Sequence, residues 1–292
     1  MGLIAVPQPY DFERSLDRFT FWGVDRANVW HEGGLHRVVA GREVRITPAP
    51  GGVQVEPLDA TIEPDVRKLL GLEFDLTTFH VFAQTDPILA ETVRRFPGFR
   101  PPLAPDPFEA LVSSITAQQV SLHSAFAVRS RLIDRFGEPA RSARPRSGPV
   151  EGVRGNRKVP PTDATVLAFP TRERVAQANE EELTALGFSR RKAEYVLGLA
   201  RAELDFAALA ALPDDEVKAR ITSLRGLGEW SADWFLARHL GRPEAWPAGD
   251  LGLRKAVLAF YPEVTDVRAA GIRFQPFQNL SAHFLLLALR YR

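Results

Sequence analysis

A glycine-rich turn and an aspartate downstream of it are the residues of this chain best suited to chemistry on a nucleotide. Residues 224–228 (LRGLG) lie between two helical patterns, and Asp250 follows Gly228 by twenty-two residues. Glycine allows close backbone approach, and the free N–H groups and positive dipole end of the next helix attract an anion such as phosphate. The turn therefore predicts that Gly226, Leu227 and Gly228 hold a nucleic-acid backbone. Taken singly, such a turn is often only a tight helix connection, and such an aspartate only an N-cap.

Two tryptophans, Trp230 and Trp234, open the helix that follows the turn. At about 100° per residue, the other side of this helix carries the predicted core stripe, which consists of Ala232, Phe235, Leu236 and Leu240. Periodicity alone favours packing for the tryptophans as well. Asp250 changes that balance, because indole rings could stack a flipped-out base while the carboxylate stabilises an oxocarbenium-like sugar and directs water to it. A ring-alkylated purine, which is positively charged, would be attracted to the indole faces.

The N-terminal part of the chain has the pattern of a small sheet. Residues 27–58 alternate apolar and polar side chains in short runs separated by glycine-containing breaks, which predicts an antiparallel meander. Helical patterns precede the meander at residues 11–21 and follow it at residues 63–72. Residues 1–80 are therefore predicted to form a small α+β domain.

Beyond Phe79 helical patterns dominate, so residues 81–292 are predicted to form a predominantly α-helical region. The predicted helices cover residues 87–96, 107–136, 171–178, 180–186, 189–202, 214–224, 229–240, 251–260 and 277–290. Those on either side of the glycine turn form a predicted helix-hairpin-helix at about residues 214–240. Residues 138–163, with five prolines, three glycines and six basic side chains, predict a loop. Its charge is more typical of solvated surface than of nonspecific phosphate attraction.

Composition narrows the class of protein. With 292 residues and 45% hydrophobic side chains the chain can bury the core of two or three compact units, and its net charge of +1 does not by itself argue for nucleic-acid binding. The absence of cysteine excludes disulfides, thiolate zinc sites and cysteine-ligated iron–sulfur clusters. The most apolar stretch, residues 280–289, is shorter than the roughly 20 residues that cross a bilayer, and the N-terminus does not resemble a secretory signal. We therefore expect an intracellular protein of the cytoplasm or nucleoid, with no membrane partner.

Five segments resemble the DNA-3-methyladenine glycosylase II branch of the helix-hairpin-helix DNA glycosylase superfamily: residues 74–76, 106–121, 185–187, 191–193 and 224–255. The resemblance implies a base-flipping DNA-repair enzyme in which Asp250 is the catalytic carboxylate. It also implies that Trp230 and Trp234 line the base pocket, and that the amides around Leu227 and Gly228 hold DNA phosphate.

Gln118 and Gln119 match the family segment that supplies the wedge filling the space left by the flipped nucleotide, with Gln119 at the inserting position. Without the resemblance, both would be polar positions on a long helix. Three departures leave the range of bases open. Gln119 is polar where an apolar residue is familiar, Leu251 follows the aspartate where an aromatic residue can occur, and residues 285–289 lack a tryptophan. The two tryptophans of the N-terminal region cannot be assigned to that missing role from sequence.

The position of Trp230 indicates the reaction type, because bifunctional relatives in the family place a Schiff-base lysine there. An enzyme without that amine uses water and leaves an abasic site in an uncut strand. Lys255, five residues after Asp250, is better explained as a surface charge. The resemblance implies no organic cofactor and no side-chain metal site, whereas hairpin carbonyls near Leu224 and Leu227 could hold a monovalent cation, as in the family.

The sequence thus predicts a monofunctional glycosylase that removes alkylated purines such as 3-methyladenine from damaged double-stranded DNA. Three alternatives stay open. The first is a glycosylase of the same fold for a deaminated or oxidised base, which only a substrate panel would separate. The second is a damaged-DNA binding module that performs no chemistry, and the third is an RNA-binding protein.

Overall fold

The computed structural model describes residues 1–140 and 165–292. Most of the predicted basic loop at residues 138–163 therefore lies outside the described residues. The chain on either side of this stretch pairs, because Pro139 and Leu167 form an isolated antiparallel bridge.

Five strands near the N-terminus form one antiparallel sheet in the spatial order β1-β5-β4-β3-β2. The strands are β1 Gly2–Ala5, β2 Val29–His31, β3 Gly34–Val39, β4 Arg42–Ala49 and β5 Gly52–Glu56. The last four confirm the predicted meander. The sequence does not predict β1, because its alternation is too short to recognise and the strand forms by pairing with β5, far along the chain.

The helices fall into two groups. The N-terminal part holds α1 Phe12–Leu16, α2 Arg18–Phe21 and α3 Glu63–Leu69. The helical part holds α4 Leu76–Ala83, α5 Pro87–Arg95, α6 Pro107–Ala117, α7 Leu122–Phe136, α8 Arg172–Ala176, α9 Glu180–Ala185, α10 Arg190–Arg201, α11 Asp214–Thr222, α12 Glu229–Arg238, α13 Leu251–Phe260 and α14 Gln278–Arg290. Two short 3-10 helices lie at Ala208–Ala211 and Ala269–Phe274.

The helices predicted beyond residue 81 are present, with one correction. The prediction of a single helix over residues 107–136 is wrong, because four residues separate the end of α6 from the start of α7. Gln119 lies in this break with a φ of +55°, which is not helical. The Ser121 hydroxyl caps α7 by accepting a backbone N–H at 3.2 Å. Gln118 and Gln119 are therefore turn residues and not polar positions on a long helix.

Two further differences concern the predicted helix at residues 11–21 and helix α4. The helix predicted over residues 11–21 is interrupted at Asp17, so that α1 and α2 are separate. Helix α4 is not predicted, because its sequence LTTFHVFA is apolar on most sides and shows no clear helical stripe. Its start is nevertheless well defined, since the Asp75 carboxylate accepts the Thr78 N–H at 3.0 Å.

Among the described residues, three hydrophobic clusters form the core. The first joins the sheet to α1 and α3 and includes the fully buried Leu16 and Ile46. The second joins α4 to α13 and α14, with Phe79 and Phe284 in ring contact at 5.0 Å. The third lies among α6, α7 and α10 to α12 and holds Trp234. The domain boundary near residue 80 stays a prediction.

A buried ion-pair network joins the sheet to the helical part. Arg37 of β3 and Arg129 of α7 both bind the Glu109 carboxylate of α6, the second at 2.7 Å. Burial by itself raises the pKa of Glu109, but the two guanidinium groups outweigh it and lower this pKa to about 2. Removing one partner of a buried network costs about 3–5 kcal/mol. The network therefore fixes α6, and with it the turn that follows α6, against the sheet.

Candidate active site

Asp250 lies at the start of α13, and its two carboxylate oxygens have different partners. Oδ1 accepts the backbone N–H of Leu253 at 2.9 Å, as an N-cap does. Oδ2 accepts two indole N–H groups, from Trp230 at 3.1 Å and from Trp234 at 3.0 Å. Three N–H donors thus fix the orientation of a side chain that is only partly buried. Helix capping explains the contact of Oδ1, whereas the two indole contacts of Oδ2 are not part of a helix cap.

The two tryptophans differ in exposure. Trp234 is 5% exposed and belongs to the core around α12, while Trp230 is partly exposed beside Asp250. Both indoles turn their N–H edges to the carboxylate. The opposite side of α12 is buried as the helical period predicts, through Ala232, Phe235 and Leu236. Of these two indoles, Trp230 is therefore the one that solvent reaches, while Trp234 is part of the core.

The turn between α11 and α12 has the geometry of an anion-binding hairpin. Gly226 has a φ of +90°, and a Cβ there would lie 2.1 Å from the Tyr195 ring, so only glycine fits. Leu227 is buried and donates its N–H to the Leu224 carbonyl at 3.1 Å, which anchors the turn. No side chain caps α12 at Gly228, so the first N–H groups of the helix lack a partner within it. Such free amides at a positive dipole end are suited to phosphate.

The turn between α6 and α7 lies against this hairpin. The Gln118 side chain donates to the Gly226 carbonyl at 2.8 Å, so one glutamine ties the two turns together. Gln119, in contrast, is exposed. Two apolar neighbours that sequence reasoning missed, Val120 and Leu122, are 45% and 41% exposed at the same tip. An exposed tip of this kind beside the predicted phosphate site is suited to insertion into a duplex.

Sequence reasoning also missed two residues beside Trp234. Arg238, one turn further along α12, places its guanidinium carbon 3.5 Å from the centre of the Trp234 ring. His283 of α14 contacts the same ring edge-on, with 5.8 Å between ring centres. The spacing of Trp230, Trp234 and Arg238 along one helix face is a signal that could have indicated the arginine. His283 comes from a distant helix and carries no local signal.

The N-terminal tryptophans have different surroundings. Trp30 packs against Phe12 at 5.4 Å between ring centres and belongs to the core of the sheet. Trp22 contacts His123 of α7 at 5.3 Å, and the Arg290 guanidinium of α14 lies 5.4 Å from its ring. Trp22 therefore lies where the N-terminal region meets the end of α14, while Trp30 only packs.

Helix α13 carries the remaining candidates from the sequence. Leu251 is 66% exposed directly after Asp250, and Lys255 is exposed on the same helix. A Cβ at position 252 would lie 3.0 Å from Asp250 Oδ1 and 3.1 Å from the Leu286 side chain. Gly252 therefore keeps space open between the carboxylate and α14.

The described residues contain neither a cluster of metal-ligand side chains nor a membrane-spanning helix. Within residues 1–140 and 165–292, no three histidine, aspartate or glutamate side chains come together as a metal site. No helix in the same ranges is long and apolar enough to cross a membrane. A cation at the hairpin would depend on backbone carbonyls near Leu224 and Leu227, and that site stays a prediction.

Comparison with known families gives the class of the protein. The HhH-GPD superfamily of base excision DNA repair proteins matches residues 112–267, more than half of the chain. The matched stretch contains the Gln118 turn, the hairpin, both tryptophans of α12 and Asp250. The chain therefore belongs to the HhH-GPD superfamily.

Individual relatives agree with this assignment. The chain is similar to a DNA-3-methyladenine glycosylase of Bacillus subtilis, with 29% identity over 229 residues that cover 75% of this chain and 69% of the relative. It is similar to the solved structure of a 3-methyladenine DNA-glycosylase from Archaeoglobus fulgidus, with a TM-score of 0.83 and 26% identity over 100% of this chain and 99% of that chain. An 8-oxoguanine glycosylase/lyase of Clostridium acetobutylicum, solved in complex with double-stranded DNA, has a TM-score of 0.75 at 17% identity over 97% and 92% of the two chains. That last likeness concerns the fold alone. Together they confirm the predicted α+β fold with a helix-hairpin-helix region.

Proposed function

We propose that this protein is a monofunctional DNA glycosylase that hydrolyses the N-glycosidic bond of alkylated purines, such as 3-methyladenine, in damaged double-stranded DNA. The observation that carries the proposal is the Asp250 carboxylate, held by one backbone N–H and two indole N–H groups on the helix that follows the hairpin. A carboxylate fixed beside aromatic rings suits a flipped-out nucleotide. The names of the Bacillus subtilis and Archaeoglobus fulgidus relatives support the alkylated-purine class.

In the proposed reaction, the bond between the anomeric carbon and the base nitrogen breaks, and its electron pair leaves with the base. A ring-alkylated purine leaves readily, because the electron pair neutralises its positive charge. Asp250 stabilises the oxocarbenium-like sugar and directs a water molecule to the anomeric carbon. The water gives its hydroxyl to the sugar and its proton to solvent, so the products are the free base and an abasic site.

Water is the proposed nucleophile, because the hairpin helix offers an indole and not an amine at Trp230. Two lysines were considered as alternative nucleophiles. Lys255 is exposed on α13, as a surface charge is. The Lys192 side chain is held by a hydrogen bond, because its Nζ donates to the Thr116 carbonyl at 2.9 Å. Without a Schiff base the strand should stay uncut until alkali is added.

Duplex binding would use the hairpin and the turn that Gln118 ties to it. The turn that Leu227 anchors would present the amides of Gly226 and Gly228 and the first N–H groups of α12 to phosphate, and Gln119 would fill the space left by the flipped nucleotide. Flipping costs a few kcal/mol, which phosphate contacts and the inserted side chain offset. The chemistry needs no organic cofactor, and a monovalent cation on the Leu224 and Leu227 carbonyls would brace the phosphate contact. We place this activity in the cytoplasm or nucleoid, where DNA is.

The test is release of free methylpurine from methylated duplex DNA by the native chain and by Asp250→Asn, with strand scission measured separately. We expect release by the native chain, loss of release in the variant, and intact strands before alkali treatment. Native chain that binds the duplex but releases no base, while Asp250→Asn binds equally well, would instead support a damaged-DNA binding module. Release only of a deaminated or oxidised base would replace the substrate class, and preferential binding of RNA would overturn the DNA proposal.

A further inference from the structure

The turn between α6 and α7 contains a strained residue. Gln119 has a φ of +55°, a region that residues other than glycine rarely adopt. Such a conformation costs free energy and persists only where its surroundings fix it. The chain leaves α6 after Ala117, so the N–H of Val120 does not continue the helix to the Thr116 carbonyl. The end of α6 therefore needs a hydrogen-bond donor from another part of the fold.

Lys192 of α10 is that donor. Its Nζ donates to the Thr116 carbonyl at 2.9 Å, at the C-terminal end of α6. A cation at this end of a helix also interacts favourably with the negative end of the helix dipole. Burial alone lowers the pKa of Lys192, and no carboxylate of the described residues opposes that change. The partly buried ammonium group is thus held by the end of α6 and not by an ion pair.

The same face of α10 contacts the hairpin. Tyr195 lies three residues after Lys192, a spacing that places two side chains on one side of a helix. The Tyr195 ring lies directly against Gly226, where an added Cβ would be 2.1 Å from a ring atom. One face of α10 therefore contacts both of the turns that would bind DNA.

The two turns also contact each other. The Gln118 side chain donates to the Gly226 carbonyl at 2.8 Å. The α6–α7 turn is thus held at Thr116 by Lys192 and at Gln118 by the hairpin. Gln119 follows directly and is exposed. Contacts of the preceding residues therefore determine where this exposed side chain lies relative to the hairpin.

We propose that Lys192 is a positioning residue for base flipping: it ends α6 and thereby holds the inserting turn at a fixed distance from the phosphate site. This inference rests on the proposed function and deepens it, because it assigns the spacing between inserted side chain and bound phosphate to one face of α10. In this role Lys192 contacts neither the base nor the sugar. Its loss raises the free energy of flipping and leaves the breaking of the N-glycosidic bond unchanged once the base is out of the helix.

The experiment compares two substrates that differ in what flipping requires. In one duplex 7-methylguanine is paired with cytosine. In the other the same base lies in a single-nucleotide bulge, where the flanking pairs can stack on each other once the base leaves, so that no space has to be filled. Single-turnover release at saturating protein is measured for the native chain, Lys192→Met, Lys192→Arg, Gln119→Ala and the double variant Lys192→Met/Gln119→Ala. Thermal unfolding is recorded for every variant.

Lys68→Met is the matched control for loss of a partly buried lysine. The Lys68 ammonium group lies 3.4 Å from His239 Nδ1, at the end of α12 opposite the hairpin. This variant should leave the ratio of the two release rates at the native value, whatever it does to the unfolding midpoint. A change in that ratio is therefore specific to the inserting turn.

Lys192→Met should lower release from the paired substrate by at least about tenfold and release from the bulge by less than about twofold, because only the paired substrate depends on the inserting turn. Lys192→Arg should stay near native, since a guanidinium also donates to a carbonyl. In the double variant the lysine substitution should cost nothing beyond Gln119→Ala, because Lys192 acts through Gln119. If Lys192→Met does not fold, Lys192→Gln should show the same selective loss.

Equal losses on the paired and bulged substrates would overturn the inference and leave Lys192 as a support of the fold. Additive losses in the double variant, or native rates in Lys192→Met, would overturn it as well. A native chain that releases 7-methylguanine from neither substrate would overturn the proposed function instead. The two failures are therefore distinguished by the native chain alone.

Discussion

Asp250→Asn is the substitution whose effect the structure defines most closely. Asparagine keeps the side-chain shape and is itself a good N-cap, but it replaces one oxygen with an NH₂ group. In the native site three N–H donors converge on two oxygens. The new NH₂ group must therefore face either the Leu253 N–H or the two indole N–H groups. Whichever way the amide turns, at least one donor loses its acceptor.

Two magnitudes follow from this geometry. A lost hydrogen bond to a charged acceptor costs about 1.5–3 kcal/mol of the free energy of unfolding, and each kcal/mol lowers the unfolding midpoint by about 2–4 °C in a chain somewhat shorter than this one. A carboxylate about 4 Å from an oxocarbenium-like sugar contributes about 4 kcal/mol at an effective dielectric constant near 20. That free energy corresponds to a rate loss on the order of a thousandfold. Duplex binding should change only a few-fold, because the hairpin is untouched.

The assay is single-turnover release of methylpurine well below the unfolding midpoint, with duplex binding measured by fluorescence anisotropy. Asp75→Asn is the control, because Asp75 caps α4 with the same kind of contact, to the Thr78 N–H at 3.0 Å. Near-native release by Asp250→Asn would refute the catalytic role and leave only the N-cap. An equal rate loss in Asp75→Asn would show that the loss of a helix cap, and not the loss of the carboxylate at the site, causes the effect.

Three further outcomes are expected. Gly226→Ala should weaken duplex binding at least tenfold and lower stability in thermal unfolding, because the new Cβ would lie 2.1 Å from the Tyr195 ring at a φ of +90°, whereas Gly198→Ala, with open space around it, should do neither. Gln119→Ala should reduce both lesion binding and turnover, and a variant with native values for both would remove the insertion hypothesis. The folded pKa of Glu109 is about 2, below its ordinary 4.5, so its stabilisation should be complete above about pH 4.5 and lost as the pH falls through 2. Urea unfolding of Glu109→Gln at pH 7 and pH 3 should therefore show a smaller acid loss than the native chain shows.

Most of the fold could be predicted from local patterns in the sequence. The meander and the helices of the region beyond residue 81 are each defined by a periodicity of 2 or 3.6 residues within one segment. The break at Gln118 and Gln119 is a local feature that periodicity does not show, because polar residues also occur on a helix surface. In the structure, the break is marked by the positive φ of Gln119 and by the Ser121 side chain that caps α7. A serine that caps the next helix competes with continuation of the helix before it.

The candidate site was predictable only in part. Asp250, Trp230 and Trp234 are close in sequence, so their residue types and spacing indicated a shared role, and the structure places all three in hydrogen-bond contact. The Gln118 bond to the Gly226 carbonyl spans 108 residues, and His283 reaches Trp234 from α14. A helical period tells which face of a helix is buried, but it does not tell which distant side chain meets it.

Helix α12 carries both the proposed phosphate site and the indoles that contact the proposed catalytic carboxylate. Its first amides form the predicted phosphate site, and the two indoles that orient Asp250 lie in its first two turns. The helix is about 15 Å long at 1.5 Å per residue, and its buried side is locked in the core. The distance from the proposed phosphate site to the carboxylate is therefore set by one rigid helix. In the proposed binding mode, a flipped nucleotide would present its sugar to Asp250 only when the neighbouring backbone is bound at the hairpin. The hydrogen bond from Gln118 to the Gly226 carbonyl would hold the proposed inserting turn at that same position.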